Sequence, residues 1–152
     1  SIKMNVINEM KICFDSKSCN EAFARSAVSG FILQLDPTIA ELSDIKTAVS
    51  EAVTNAIVHG YSSTIGDVHI KVQIIEGGKV IIQVKDKGVG IENIQQAMEP
   101  MFTTGGSERA GLGFAVMQSF MDKIKVTSKP GRGTTVTMEK YIMPRFSARD
   151  SI

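Results

Sequence analysis

The chain predicts an α+β domain, an α/β sandwich with helices on one face of a mixed, mostly antiparallel sheet. Three observations carry that prediction. Apolar residues recur at helical spacing in two consecutive segments between residues 20 and 60. Later segments alternate with period two and come in pairs joined by glycine turns. Two glycine clusters, Gly88-Val89-Gly90 and Gly111-Leu112-Gly113, fall at a strand end and just before a helix.

Residues 1–7 show no clear period, so a frayed end is expected there. Met10, Ile12 and Phe14 alternate with polar neighbours as a short first strand. Asn20 can cap a helix that carries Phe23, Ala27, Phe31 and Leu35, and Asp36-Pro37 stops it. Thr38 caps a longer second helix ending at Gly60, which suits a left-handed turn. Val68, Ile70, Val72 and Ile74 form a strand, Gly77-Gly78 turns the chain, and Val80, Ile82 and Val84 return it. Residues 92–98 read as a short helix, and 99–113 as a long Thr- and Gly-rich loop of the kind that carries function. Phe114, Met117, Phe120 and Met121 mark a last helix, the methionines as core filler. A hairpin around Pro130-Gly131-Arg132-Gly133 closes the domain, and 144–152 is a polar, flexible tail.

The chain has 152 residues, 43% of them hydrophobic, which suits a single domain with its own core. Seventeen Lys and Arg against sixteen Asp and Glu leave a formal charge of +1, so neither nucleic acid nor an anionic membrane is an expected partner. No apolar run approaches the roughly 20 residues of a membrane span, and no signal-peptide pattern opens the chain. A cytoplasmic protein is therefore expected. Cys13 and Cys19 have neither CxxC spacing nor a nearby His cluster in the sequence, so two reduced thiols are expected, with no disulfide or zinc site.

Ser50-Glu51-Ala52-Val53-Thr54-Asn55-Ala56-Ile57-Val58-His59-Gly60 is the most informative stretch. Glu51, Asn55 and His59 stand four residues apart, one nearly continuous stripe on a helix. It borders the apolar stripe of Ile45, Val49, Ala52, Val53, Ala56 and Ile57. A carboxylate and a carboxamide in that position are expensive unless something binds them; the plain alternative is an exposed polar edge. His59, beside the helix end, is assigned to the helix terminus and not to chemistry. Asp86-x-Gly88-x-Gly90 ends a strand where a ligand can approach bare backbone, though a tight loop with a surface Asp has the same pattern. Gly111-Leu112-Gly113 precedes a helix and offers free N–H groups to a phosphate. Neither cluster is a dinucleotide fingerprint, and no Walker-type phosphate loop occurs.

Together the Glu51/Asn55 helix, D-x-G-x-G, the flexible Thr/Gly segment, G-x-G and Gly133-Thr134-Thr135 resemble the GHKL (Bergerat) ATP-binding fold. That is the fold of gyrase, Hsp90, histidine kinases and MutL. The absence from this chain of a histidine-bearing helix pair argues against a histidine kinase. Residues 31–38 (FILQLDPT), 45–61 (IKTAVSEAVTNAIVHGY), 100–104 (PMFTT) and 108–114 (ERAGLGF) resemble the anti-sigma-factor serine kinases. The likeness is to the sporulation branch that holds sigma-F more than to the stress-response branch that holds sigma-B. The resemblance implies a homodimeric kinase that binds ATP or ADP with Mg²⁺, holds a sigma factor and phosphorylates a serine of an anti-anti-sigma protein. The alternatives are the same kinase type acting on a stress-response (sigma-B-type) sigma factor, or a nucleotide-gated clamp without catalysis.

The same resemblance implies residue roles. Asn55 would coordinate Mg²⁺, and Glu51 would take or orient the proton of the attacking serine. Asp86 would bind the adenine exocyclic N–H, with Gly88 and Gly90 allowing close packing of the base and Thr134 joining through water. A lid containing Thr103, Thr104, Arg109, Gly111, Leu112 and Gly113 would cover the phosphates. Arg109 is either a partner of the terminal phosphate or solvated. Arg25 corresponds to a position that contacts partner proteins, or is simply a solvated helix residue. Gly105-Gly106-Ser107 implies a looser lid.

Overall fold

The computed structural model of the chain describes residues 4–99 and 113–143. Five strands form one sheet in the order β1-β2-β3-β5-β4: β1 (Val6–Asp15), β2 (Asp67–Ile75), β3 (Lys79–Asp86), β4 (Lys123–Lys129) and β5 (Gly133–Tyr141). All four pairings are antiparallel, so the sheet is not mixed. β1 begins at Val6, which places Val6 and Ile7 in the sheet and not in a frayed end. It is an edge strand.

Period-two alternation sorts the side chains between the two faces. Val68, Ile70, Val72 and Ile74 of β2, Val80, Ile82 and Val84 of β3, and Val136 and Met138 of β5 are buried. They meet α1 (Asn20–Ile32), α2 (Ile39–Thr54) and α4 (Phe114–Phe120). The other face carries polar residues, such as Lys11, Lys71 and Lys85, and among the described residues no helix covers it.

α2 contains many β-branched residues, which are only moderate helix formers, so burial must hold it. Ile45, Val49 and Val53 are fully buried, each stabilising by roughly 1.5–3 kcal/mol. A capping box fixes its start: Glu41 N–H donates to Thr38 Oγ1 at 3.0 Å and Thr38 N–H to Glu41 Oε1 at 2.8 Å. Asp36, the one non-glycine among the described residues with positive φ (53°), turns the chain between α1 and α2.

Two expectations for α1 are corrected. Asn20 is not the cap: its carboxamide donates to Asp15 O at 2.9 Å, tying the helix start to the end of β1. The buried face is Ala24, Val28 and Ile32, one residue on from the aromatic stripe. Phe23 remains 53% exposed, its ring edge-on to Phe14 at 6.3 Å. Small and β-branched residues take the interior where α1 packs on α2, while Phe31 and Leu35 pack half-buried against the same core.

α2 does not run to Gly60 as an α-helix. From Asn55 the backbone winds as a π-helix (Asn55–Gly60), and Tyr61 N–H bonds to Ala56 O, five residues back, at 3.0 Å. α3 (Ile94–Met98) is capped by Asn93, whose side chain accepts from Gln96 N–H at 2.9 Å. Met117 and Met121 are buried, as core filler should be. Among the described residues no helix is long and apolar enough to cross a membrane.

Candidate functional site

The switch from α to π winding occurs where the sequence places its candidate ligand residue. π turns inside helices concentrate at functional sites because the wider turn re-aims side chains. Glu51, Asn55 and His59 are all half-buried, on the border of the core face, as their spacing predicts. A small cleft opens beside the π turn. Its walls include Ala52, Asn55, His59, Asp86, Gly90 and Thr134, floored by Val84, Val136 and Phe114. The structure thus gathers Asn55, Asp86, Gly90 and Thr134 from elements far apart in sequence. His59 joins them, although its place by the helix end had assigned it elsewhere.

Asp86 ends β3 and is only 6% exposed. Burial pushes its carboxyl pKa up, opposed by backbone hydrogen bonds from Gly88 and Thr134. The Gly88 N–H donates to Asp86 Oδ1 at 2.9 Å. A buried carboxylate aimed at a cleft is a strong acceptor for a ligand N–H, since little water competes.

The glycines around it are required by the chain itself. A Cβ on Gly88 would overlap Gly60 O, and one on Gly90 (φ 76°) would overlap Lys129 O. Val89 N–H donates to Gly60 O at 2.9 Å, and Gly131 N–H to Val89 O at 2.7 Å. The close approach that Gly88 and Gly90 permit is therefore backbone on backbone. It clamps the motif between the π turn and the β4–β5 hairpin, and so shapes the pocket wall.

Two side chains that the sequence reading missed brace this wall. Tyr61, 8% exposed, accepts from Lys87 N–H at 2.7 Å and donates to Asp67 O at 2.8 Å. Burial raises its phenol pKa, which keeps the donor proton in place. Ser128 Oγ accepts from Ile91 N–H at 2.8 Å, donates to Gly133 O at 2.9 Å, and lies 2.8 Å from Thr134 Oγ1. With its one proton given to Gly133 O, Ser128 must accept from Thr134, which leaves the Thr134 lone pairs for a ligand or water. The only sequence signal for either was a polar residue beside a glycine motif.

Glu51 lies one α-turn before Asn55. Burial is the main reason its pKa is raised, and the charge of Glu21 adds to the effect. Gly113 (φ 68°), at the N-terminus of α4, sits directly on this carboxylate: a Cβ there would overlap Glu51 Oε2. Glu51 is thus held at the junction of α2 and the N-terminus of α4.

Arg25 is half-buried and not simply solvated. Its Nη1 donates to Glu21 Oε1 at 3.1 Å and to Ser50 Oγ at 3.2 Å, while Thr54 Oγ1 donates to Glu21 Oε2 at 3.0 Å. This network joins α1 to the stretch of α2 that carries Glu51. Thr103, Thr104, Arg109, Gly111 and Leu112, the rest of the expected lid, lie outside the described residues.

The family described as "Histidine kinase-like ATPase domain" matches residues 19–140. The chain is 58% identical over 140 residues to the anti-sigma F factor of Thermoanaerobacter sp. (strain X514), covering 91% of this chain and 97% of that protein. It is 53% identical over 137 residues to the anti-sigma F factor of Geobacillus sp. (strain WCH70), covering 89% and 93%. The fold is like that of the RsbU and RsbW domains of Rv1364c from Mycobacterium tuberculosis (TM-score 0.65, 17% identity), over 93% of this chain and 35% of that one.

Proposed function

Because the chain belongs to the histidine kinase-like ATPase family, and within it to the anti-sigma F factor group, we propose that it is an anti-sigma factor and an ATP-dependent protein serine kinase. The observation that carries this reading is the convergence of Asn55, Asp86, Gly90 and Thr134 on one cleft, with Glu51 one turn away on the same helix. The proposed partners are a sigma-F-type factor and a small anti-anti-sigma protein bearing the acceptor serine.

In this reading Asp86 accepts the exocyclic N–H of adenine, and Thr134, oriented by Ser128, supplies a second polar contact. The nearly closed carboxylate excludes bases that present only acceptors there. Asn55 offers a carboxamide oxygen at the cleft wall, a hard donor that suits Mg²⁺. When bound, that ion neutralises phosphate charge. The lid segment containing Thr103, Thr104, Arg109, Gly111 and Leu112 is proposed to close over the phosphates.

Glu51 supplies the general base. The serine Oγ forms a bond to the terminal phosphorus while the bond to the bridging oxygen breaks and ADP leaves. The serine proton goes to the Glu51 carboxylate. A base with a raised pKa holds that proton better than an ordinary carboxylate does, which favours the transfer. The half-buried position of Glu51 follows from the same packing that raises its pKa.

Arg25, with Glu21 and Ser50, is proposed to present the α1 face to the partner proteins. A homodimer through β1 and α1 is consistent with the open edge of β1 and with the exposure of Val6, Ile7, Phe23 and Leu33.

The test is incubation with γ-labelled ATP, Mg²⁺, a sigma-F-type factor and an anti-anti-sigma protein. Label on a serine of the last, with release of the sigma factor, is expected. Sigma binding without any labelled serine would leave a clamp and remove the kinase.

A further inference from the structure

The uncovered face of the sheet brings together three metal-ligating side chains from two strands far apart in sequence. Cys13 of β1 and His69 of β2 are direct cross-strand partners, and Asp67 precedes His69 by two residues on the same face. Cys13 Sγ lies 4.0 Å from His69 Nε2. The sulfur, an imidazole nitrogen and a carboxylate oxygen of Asp67 all lie within 4.8 Å of one another. A tetrahedral zinc centre with Zn–S near ~2.3 Å and Zn–N near ~2.0 Å holds its sulfur and nitrogen ~3.5 Å apart. Side-chain rotations that move the ligand atoms by about half an ångström for the sulfur–nitrogen pair, and by up to about 1.3 Å for the Asp67 oxygen, would close the difference with no change in strand register.

We propose that Cys13, Asp67 and His69 form a surface site for a borderline divalent cation of the Zn²⁺ class, with water in the fourth position. The donor set decides the metal. Thiolate and imidazole suit zinc and its transition-metal neighbours and are poor ligands for Mg²⁺ or Ca²⁺. This site therefore does not compete for the ion assigned to Asn55, which faces the helix side of the sheet. Asp15, the cross-strand partner of Asp67, adds a second carboxylate beside the thiol, while Lys87 and Lys85, the cross-strand partner of His69, bring positive charge to the same face. A bound ion would pin edge strand β1 to β2 by coordination, in addition to the backbone ladder. Pairing across the β1–β2 ladder, which sequence spacing does not display, creates the cluster.

The experiment titrates the tag-free, chelator-stripped full chain with Co²⁺, followed by displacement with Zn²⁺. The wild type should develop the near-ultraviolet thiolate-to-cobalt charge-transfer band at equimolar metal and lose it to zinc. Cys13→Ser should abolish the band, and Cys19→Ser should leave it unchanged. His69→Gln should weaken binding by at least ~10–100-fold, the loss typical even of second-shell partners. Cys13 and Cys19 are exposed and His69 is only half-buried, so these variants should fold, which far-ultraviolet circular dichroism verifies. No band in the wild type, a band that survives Cys13→Ser or vanishes in Cys19→Ser, or an unchanged affinity in His69→Gln would each overturn the site.

Discussion

Tyr61→Phe removes one oxygen atom and tests how the proposed nucleotide cleft is braced. That oxygen accepts from Lys87 N–H and donates to Asp67 O, joining the chain after the π turn to the residue next to Asp86. The ring stays, so no cavity forms, and the ~3–5 kcal/mol typical of aromatic-to-alanine changes does not apply. Two hydrogen bonds are lost, each worth about 0.5–1.5 kcal/mol net. Because Asp67 and Lys87 are themselves exposed, water can reach their backbone groups, and the full desolvation penalty is avoided. The expected destabilisation is ~1–2 kcal/mol, read as a lower urea midpoint with unchanged slope. If the brace also positions Asp86, nucleotide affinity should fall by up to about tenfold, the equivalent of 1.4 kcal/mol. Stability and affinity both equal to wild type would refute the reasoning. A loss of stability alone would show that the brace does not reach the cleft.

Three further outcomes follow from the geometry. Gly113→Ala places a side chain at φ 68° and against Glu51 Oε2; it should cost ~1–2 kcal/mol in urea unfolding and depress phosphoryl transfer more than ATP binding. Glu21→Gln removes the charge that adds to the raised pKa of Glu51. The base must be deprotonated to act, so the acid limb of the transfer rate should move to lower pH in a pH–rate profile. Asn55→Ala should erase the difference between ATP affinities measured with Mg²⁺ and with a chelator, because the proposed metal ligand is gone.

Short-range patterns made much of the fold legible. The Gly77-Gly78 turn, the alternation in β2 and β3, and the Thr38–Glu41 capping box act within a few residues. The site was legible where a residue type carries its own chemistry: Asn55, Asp86, Gly90 and Thr134 do line one cleft. The errors have physical causes. On α1 two adjacent i, i+4 series compete, and the larger rings of Phe23 and Phe31 mark the rim, while Ala24, Val28 and Ile32 enter the core. The π turn has no periodic signature, because Asn55 to Gly60 reads equally well as α-helix. Tyr61 and Ser128 act on partners brought near only by folding. The contacts of Gly88 and Gly90 with the backbone of Gly60 and Lys129 also arise only on folding.

Glu51→Gln most directly tests the claim that this cleft belongs to a kinase. Burial and Glu21 raise the pKa of Glu51 in the folded state. The native state therefore binds more protons than the unfolded chain between the usual glutamate value and the raised one, and stability falls as pH rises through that window. Removing the charge should leave the protein at least as stable at neutral pH, so lost activity cannot be ascribed to unfolding. The measurement is single-turnover transfer of labelled phosphate to the anti-anti-sigma serine, alongside ATP affinity. Transfer slowed by ~10²–10⁴-fold with ATP affinity retained is the expected result; transfer at the wild-type rate would contradict the account.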